Sequence, residues 1–217
     1  GVIRNVAGGL EGEKENLTGK QWVYGGLRMG GRSYYALDLT DMGDSSSFKP
    51  TIKFHIDPST GTVRRPQKTT DGKTELIIKH YPAIANMGQS WSKPKLDYVN
   101  WNGKRKLVMF VGGGYDAGGL NGDGIYDDNG VRIRYEGYEK YNYRQDVDGE
   151  NEIGSGVYMF DADNGDLLWY ASKTKHSITK EEGEETSYLQ PDAYTSHEDL
   201  NFSVVSDIKT IDRNNDG

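Results

Sequence analysis

The stretch Gly154-Ser155-Gly156-Val157-Tyr158-Met159-Phe160-Asp161-Ala162-Asp163-Asn164-Gly165-Asp166-Leu167-Leu168-Trp169 decides the fold class. It reads as an aromatic strand ending at Asp161, a polar turn, and a second strand closing on Trp169. Aromatic and β-branched residues suit a pleated, half-buried surface. Asp163-Asn164-Gly165-Asp166 carries a strong hairpin signal, because Asn and Gly tolerate the positive φ angles of tight turns.

Working outward, an apolar strand ending in glycines precedes this unit: Leu107-Val108-Met109-Phe110-Val111-Gly112-Gly113-Gly114. An earlier copy has the same order. Trp22-Val23-Tyr24-Gly25-Gly26 leads to Gly31-Arg32-Ser33-Tyr34-Tyr35-Ala36-Leu37-Asp38. A third register opens each unit. Met87 to Leu96 precedes Leu107, and Leu200 to Ile208 precedes the terminal residues. Opening strand, glycine-bounded strand, aromatic-Asp strand and Trp strand are the grammar of a four-stranded propeller blade. The expectation is therefore an all-β chain. It is a β-propeller fragment of about two to three four-stranded antiparallel blades, with residues 1–217 belonging to one propeller domain. A plain antiparallel sandwich shares these hairpins and is the alternative. The core is expected to hold Tyr35, Leu37, Val108, Phe110, Tyr158, Phe160 and Trp169. Insertions are expected at about 56–85, 116–153 and 175–199. Within the first, Thr74–Ile78 reads as a strand, and the polar stretch from Thr179 to Leu200 reads as a mobile loop.

The chain has 217 residues, a net charge of −7, 29 glycines, 15 tyrosines and no cysteine. The acidic balance disfavours nucleic acid, whose phosphates want a basic face. Without cysteine there is no disulfide or thiol chemistry. No apolar run approaches the ~18 residues a spanning helix requires, so no membrane span is expected. Acid is concentrated between Asp116 and Glu152, with ten acids against four bases.

The terminal Asp212-Arg213-Asn214-Asn215-Asp216-Gly217 reads D-x-N-x-D-G, the first half of a calcium loop. Oxygen ligands at positions one, three and five converge on a hard cation, and glycine at six permits the turn between them. Asp212, Asn214 and Asp216 are thus the leading metal candidates. The half-loop predicts a longer parent chain that supplies the remaining ligands. Asn121-Gly122-Asp123-Gly124-Ile125-Tyr126-Asp127 fits positions three to nine of the same pattern, but position one is Gly119. Asp116 or Asp128 substitutes there only if the loop folds back. Asn121, Asp123, Asp127, Asp116 and Asp128 are therefore weaker candidates. Asp146, Asp148 and Glu152 fit the register again, with the cation Arg144 at position one. A solvated acidic turn is the alternative reading for each of these loops. His55, His80, His176 and His197 lack zinc spacing, and no nucleophile elbow or phosphate-cradling loop is present.

Gly30-Gly31-Arg32-Ser33-Tyr34-Tyr35-Ala36-Leu37-Asp38, Phe110 to Asp116, Gly156 to Ala162 and Ile211 to Gly217, in that order, resemble the C-terminal propeller of the PilY/PilC family. These are the tip-associated adhesins and biogenesis factors of bacterial type IV pili. The resemblance runs from about Trp22 to Gly217. It implies a non-enzymatic, calcium-responsive propeller that supports pilus assembly, surface attachment and twitching motility. It implies minor pilins or other pilus-tip components as partners. It also implies a place on the bacterial cell surface, at the pilus tip or associated with the outer membrane. Only Asp212, Asn214 and Asp216 match the family's loop, and the Arg-Gly-Asp tripeptide of some relatives is absent.

Two other classes share the blade pattern. Quinone-dependent dehydrogenases are propeller enzymes that use calcium, but no acid beside a stacking Trp marks a catalytic centre here. A generic glycan- or protein-binding propeller would use exposed Tyr and Trp rings for stacking, a role that blade packing explains as well.

Overall fold

The computed structural model describes residues 2–4, 19–41, 49–119, 122–135, 153–173, 175, 188–191, 193–200 and 202–211. The described residues form strands and two short 3-10 turns, Arg28–Gly30 and Pro82–Asn86, with no α-helix among them. The all-β, antiparallel expectation holds.

The first sheet is a six-stranded antiparallel meander in sequence order. Its strands are β1 (Val2–Arg4), β2 (Gln21–Gly26), β3 (Tyr34–Asp38), β4 (Thr51–Asp57), β5 (Thr62–Lys68) and β6 (Thr74–His80). Three of them occupy or enter the stretch expected as an insertion at 56–85. That stretch is sheet: β6 contains the expected strand, and β4 and β5 are additional. The Pro58-Ser59-Thr60-Gly61 turn joins them, with the Asp57 carboxylate accepting the Ser59 N–H at 3.1 Å and the Thr60 hydroxyl at 3.0 Å. Pro66 stands opposite Leu76 of β6, beyond Arg64, where β4 stops pairing with β5. A residue without an N–H is tolerated there because one side of the strand is already an edge.

The second sheet has the spatial order β13-β12-β11-β8-β7. Four of its strands form an antiparallel meander: β7 (Lys95–Trp101), β8 (Lys104–Gly112), β11 (Val157–Asp161) and β12 (Leu167–Ser172). The order of the last three is the one read from the sequence, but the opening strand expected over Met87 to Leu96 starts only at Lys95, and the described residues between Leu200 and Ile208 form no strand. β7 and β8 are joined by Asn102-Gly103, both at positive φ (53° and 75°), as a two-residue primed turn requires. At the Asn164-Gly165 hairpin only Gly165 has positive φ. The turn there is longer, with the Gly165 N–H bonded to the Asp161 carbonyl at 2.9 Å and the register slipping between Met159 and Phe160.

Between β8 and β11, strands β9 (Ile125–Tyr126) and β10 (Arg132–Arg134) make a separate two-stranded ribbon. β13 (Ala193–Ser196) then adds to β12 in parallel. The stretch expected as a loop over 179–200 therefore contains a strand. Just before it, Tyr188 bridges in parallel to His80 at the end of β6. Tyr188 and β13 thus reach the outer strands of both sheets within one short segment.

One hydrophobic cluster joins the sheets. The Tyr24 hydroxyl crosses to the Ala162 carbonyl at 2.6 Å. The turn after β11 is clamped by the first sheet. Lys53 pairs with Asp163 at 2.6 Å, and Arg65 and Lys79 both pair with Asp166 at 2.7 Å. Gly165 lies against the Phe54 ring, where an added Cβ would meet ring carbon at 2.7 Å. Val108, Tyr158 and Phe160 are buried as expected, but Tyr35, Leu37, Phe110 and Trp169 are only half-buried. Strand parity is the reason. In β3 it is Tyr34 and Ala36 that face the core, and successive side chains point to opposite faces. In β12 Leu167, Tyr170 and Ala171 are buried, while the Trp169 indole N–H turns to Thr195 Oγ1 at 3.1 Å.

Candidate functional site

The glycine end of β2 and the glycine end of β8 are each crossed by a later segment of chain. At the first crossing the Ser90 N–H bonds the Gly31 carbonyl at 3.1 Å, and Ser90 Oγ accepts the Leu27 N–H at 2.6 Å. At the second, the Val204 N–H bonds the Gly154 carbonyl at 2.8 Å, and the Val204 carbonyl accepts the Gly114 N–H at 3.0 Å. A Cβ on Gly26 would lie 2.6 Å from the Ser90 carbonyl, and one on Gly112 would run into the Val204 carbonyl. Both crossings therefore need glycine for close backbone approach.

The acidic stretch after β8 starts just past the glycine end of that strand. Asp116 is buried, and its Oδ1 accepts the Gly118 N–H at 2.9 Å. Asp123 accepts the Tyr126 hydroxyl at 3.2 Å. Asp127 Oδ1 accepts the Asn129 and Val131 N–H groups at 3.0 and 2.8 Å, and so closes the β9–β10 turn. Asp128 is exposed beside it. Among the described residues no three His, Cys, Asp or Glu side chains are grouped as a metal site requires. Asn121 lies outside the described residues, as do Asp146, Asp148, Glu152 and the leading candidates Asp212, Asn214 and Asp216.

A cation already answers part of this acidic field. Arg32 is buried, donating from Nε to the Met87 carbonyl at 2.8 Å and from Nη2 to the Ala85 carbonyl. Burial lowers its pKa, and the charges of Asp123, Asp57 and Asp116 act against that shift. A fixed guanidinium close to Asp116 and Asp123 opposes a second cation there.

Sequence reasoning missed a cleft of about 230 Å3 beside the first crossing. Tyr24, Arg28, Ser90, Trp91, Lys93 and Asp207 line it. Arg28 sits at φ 52° in the 3-10 turn after β2. This left-handed conformation is strained for a residue with a side chain. Its guanidinium lies 5.6 Å from the centre of the Trp91 ring, within cation–π range. The Trp91 indole donates to Gln89 Oε1 at 3.0 Å, and Gln89 is itself buried and bridged to Tyr115. The ring is thereby held in place. Across the cleft, the Lys93 N–H bonds Asp207 Oδ1 at 2.9 Å. The signal that could have found the cleft was Leu27-Arg28-Met29, a glycine-flanked turn that bears a cation where glycine would be relaxed.

No helix among the described residues is long and apolar enough to cross a membrane. Comparison with protein-family models, with curated proteins and with solved structures gives no match for this chain.

Proposed function

We propose that the chain contributes successive blades to a β-propeller of the PilY/PilC type, a non-enzymatic, calcium-responsive surface protein of type IV pili. The observation that carries this reading is the repeated joint. In both units a glycine-ended second strand is crossed by the segment that opens the next unit, with backbone hydrogen bonds at equivalent places. A rotational array of blades repeats its joints in this way. The β7-β8-β11-β12 meander has the four-strand content of one blade, and β1 to β4 supply the same order in the first sheet.

The repeated joint also bears on the calcium loop. Ser90 and Val204 make equivalent crossings, so Ser92 corresponds to Ser206. From there Ser92-Lys93-Pro94-Lys95 to Gly103 and Ser206-Asp207-Ile208-Lys209 to Gly217 run in step without a gap, sharing Ser, Lys, Asn and Gly. In this alignment Asp212, Asn214 and Asp216 match Tyr98, Asn100 and Asn102 at the β7–β8 hairpin. The reading is a calcium loop grafted onto the first hairpin of a blade, where bound calcium stiffens the blade edge that a minor pilin or other tip component contacts. Calcium wants six to eight oxygens, so three side chains require further ligands to close the shell.

Calorimetric titration of calcium into the complete propeller tests this, alongside its Asp216→Ala variant and the 217-residue chain. Saturable binding by the propeller, weakened at least about tenfold by removing one charged ligand, is the expected result. Equal affinity in the variant would overturn the assignment.

A further inference from the structure

We propose that the Arg28–Trp91 cleft is a binding site for the carboxylate of an acidic sugar unit. Four observations converge on this. First, the cleft holds the Arg28 guanidinium beside Trp91, with Lys93 and Asp207 also in its lining, in a chain whose overall charge is −7. A locally cationic hollow on an acidic surface concentrates a small anion. Second, Arg28 keeps a left-handed backbone, φ 52°, that presents its guanidinium at the cleft. Strain of this kind persists where the surroundings hold it in place, and such positions cluster at ligand clamps.

Third, the cleft is preorganised. Ser90 Oγ fixes the Leu27 N–H at the start of the turn, the Trp91 indole is tied to Gln89, and the Lys93 N–H is tied to Asp207. A ligand entering it orders little new structure, which favours affinity. Fourth, the lining mixes an aromatic ring with small polar groups and a carboxylate. Guanidinium binds carboxylate in a fork geometry. Asp207 accepts from sugar hydroxyls, and the exposed part of Trp91 covers an apolar sugar edge. A volume of about 230 Å3 holds a single sugar ring. A plain aliphatic acid brings no hydroxyl to Asp207, and a neutral sugar brings no carboxylate to Arg28.

The site is independent of calcium, so its test is run with EDTA present and does not depend on the pilus reading. The indole N–H resonance of Trp91, assigned among the four tryptophans with Trp91→Phe, is followed while the 217-residue chain is titrated with glucuronate, glucose and acetate. The expected result is a saturable shift with glucuronate and at least about tenfold weaker responses to the other two, the ratio that one charge-assisted interaction supplies. Arg28→Gly removes the cation and relaxes the backbone, so the variant keeps its fold, checked by its melting curve. It is expected to weaken glucuronate binding about tenfold, while Arg28→Lys weakens it less because charge remains. Lys93→Gln is the second variant and is expected to weaken binding in the same direction. Glucose or acetate binding as tightly as glucuronate, no saturable shift with glucuronate, or unchanged affinity in folded Arg28→Gly would each overturn the proposal.

Discussion

The crossing over Gly26 and the crossing over Gly112 are the same joint built with different chemistry. At Gly26 a side chain takes part: Ser90 Oγ accepts the Leu27 N–H, and the turn beyond it carries strained Arg28. At Gly112 the bonds of the crossing residue Val204 are backbone to backbone, the glycine N–H goes to Ser92 Oγ at 2.9 Å, and an added Cβ would meet the Val204 carbonyl and side chain. The first joint lies beside a cleft, and the second leads into the acidic stretch that begins at buried Asp116. Repetition keeps the path of the chain, while the residue at the crossing changes which groups make its hydrogen bonds.

The largest effect is expected at the Gly112 crossing. Gly112→Ala drives a methyl into the Val204 carbonyl and should lower stability by about 2–3 kcal/mol, as overpacking does. Gly25→Ala, with nothing within 4 Å, should stay within about 0.5 kcal/mol of the parent. Denaturant melts compare them, and equal losses would remove the distinction between crossing and non-crossing glycines. Next comes the clamp between the sheets. Asp166→Asn leaves Arg65 and Lys79 without their shared carboxylate, which is 18% exposed. The expected loss is about 1.5–2 kcal/mol, in the range of hydrogen bonds to charged groups. A loss confined to low salt would mean that the pairs act only as screened surface charges.

Ser90→Ala sharpens the contrast between the joints, because only in the first does the crossing residue itself supply a side-chain acceptor. Its cost should be about 1 kcal/mol, with exchange of the Leu27 amide accelerated and that of the Gly114 amide unchanged. A shared acceleration would mean that the joints open together. The smallest effect concerns pH. His55 stacks on Tyr35 with centroids 4.3 Å apart and contacts Ser33 Oγ at 3.0 Å. Burial lowers its pKa, Asp57 acts against the shift, and Arg64 adds to it. A depressed histidine binds its proton less readily when folded. Its contribution to stability is therefore fully present above the unfolded value of about 6.5 and is lost as pH falls through the lower folded value. Melting temperature should decline gently below about pH 6.5, and His55→Gln should flatten that slope. An unchanged slope would assign the effect to another group.

The parts of the fold legible in the sequence are those set by local chemistry. The aromatic-Asp strand, the glycine-ended strand and the Asn164-Gly165 turn declare themselves within a few residues, and the β8-β11-β12 order follows from them. What remained hidden depends on distant partners. Tyr34 and Tyr35 are adjacent aromatics, so composition cannot say which faces the core, and the half-buried Tyr35 was the wrong choice. β4 and β5 lack an Asn-Gly signal and carry Pro66, so sheet read as connection. Tyr188 and β13 form by parallel pairing with β6 and β12, which no local pattern announces. The cleft combines Arg28, Trp91 and Asp207, residues far apart in sequence that only the crossing brings together. The half-loop pattern at Asp212, Asn214 and Asp216 lies outside the described residues, and in the stretch after β8 Asp116 and Asp127 make turn hydrogen bonds.

An experimental structure of the complete propeller, determined in calcium, tests the central claim most directly. The account predicts that the sheet of β1 to β6 and the sheet of β7, β8, β11, β12 and β13 stand as neighbouring blades about a common axis. It further predicts that Ser90 and Val204 cross Gly26 and Gly112 at equivalent places. Two sheets stacked face to face about 10 Å apart with strands inclined by about 30°, the packing of a sandwich, would contradict it.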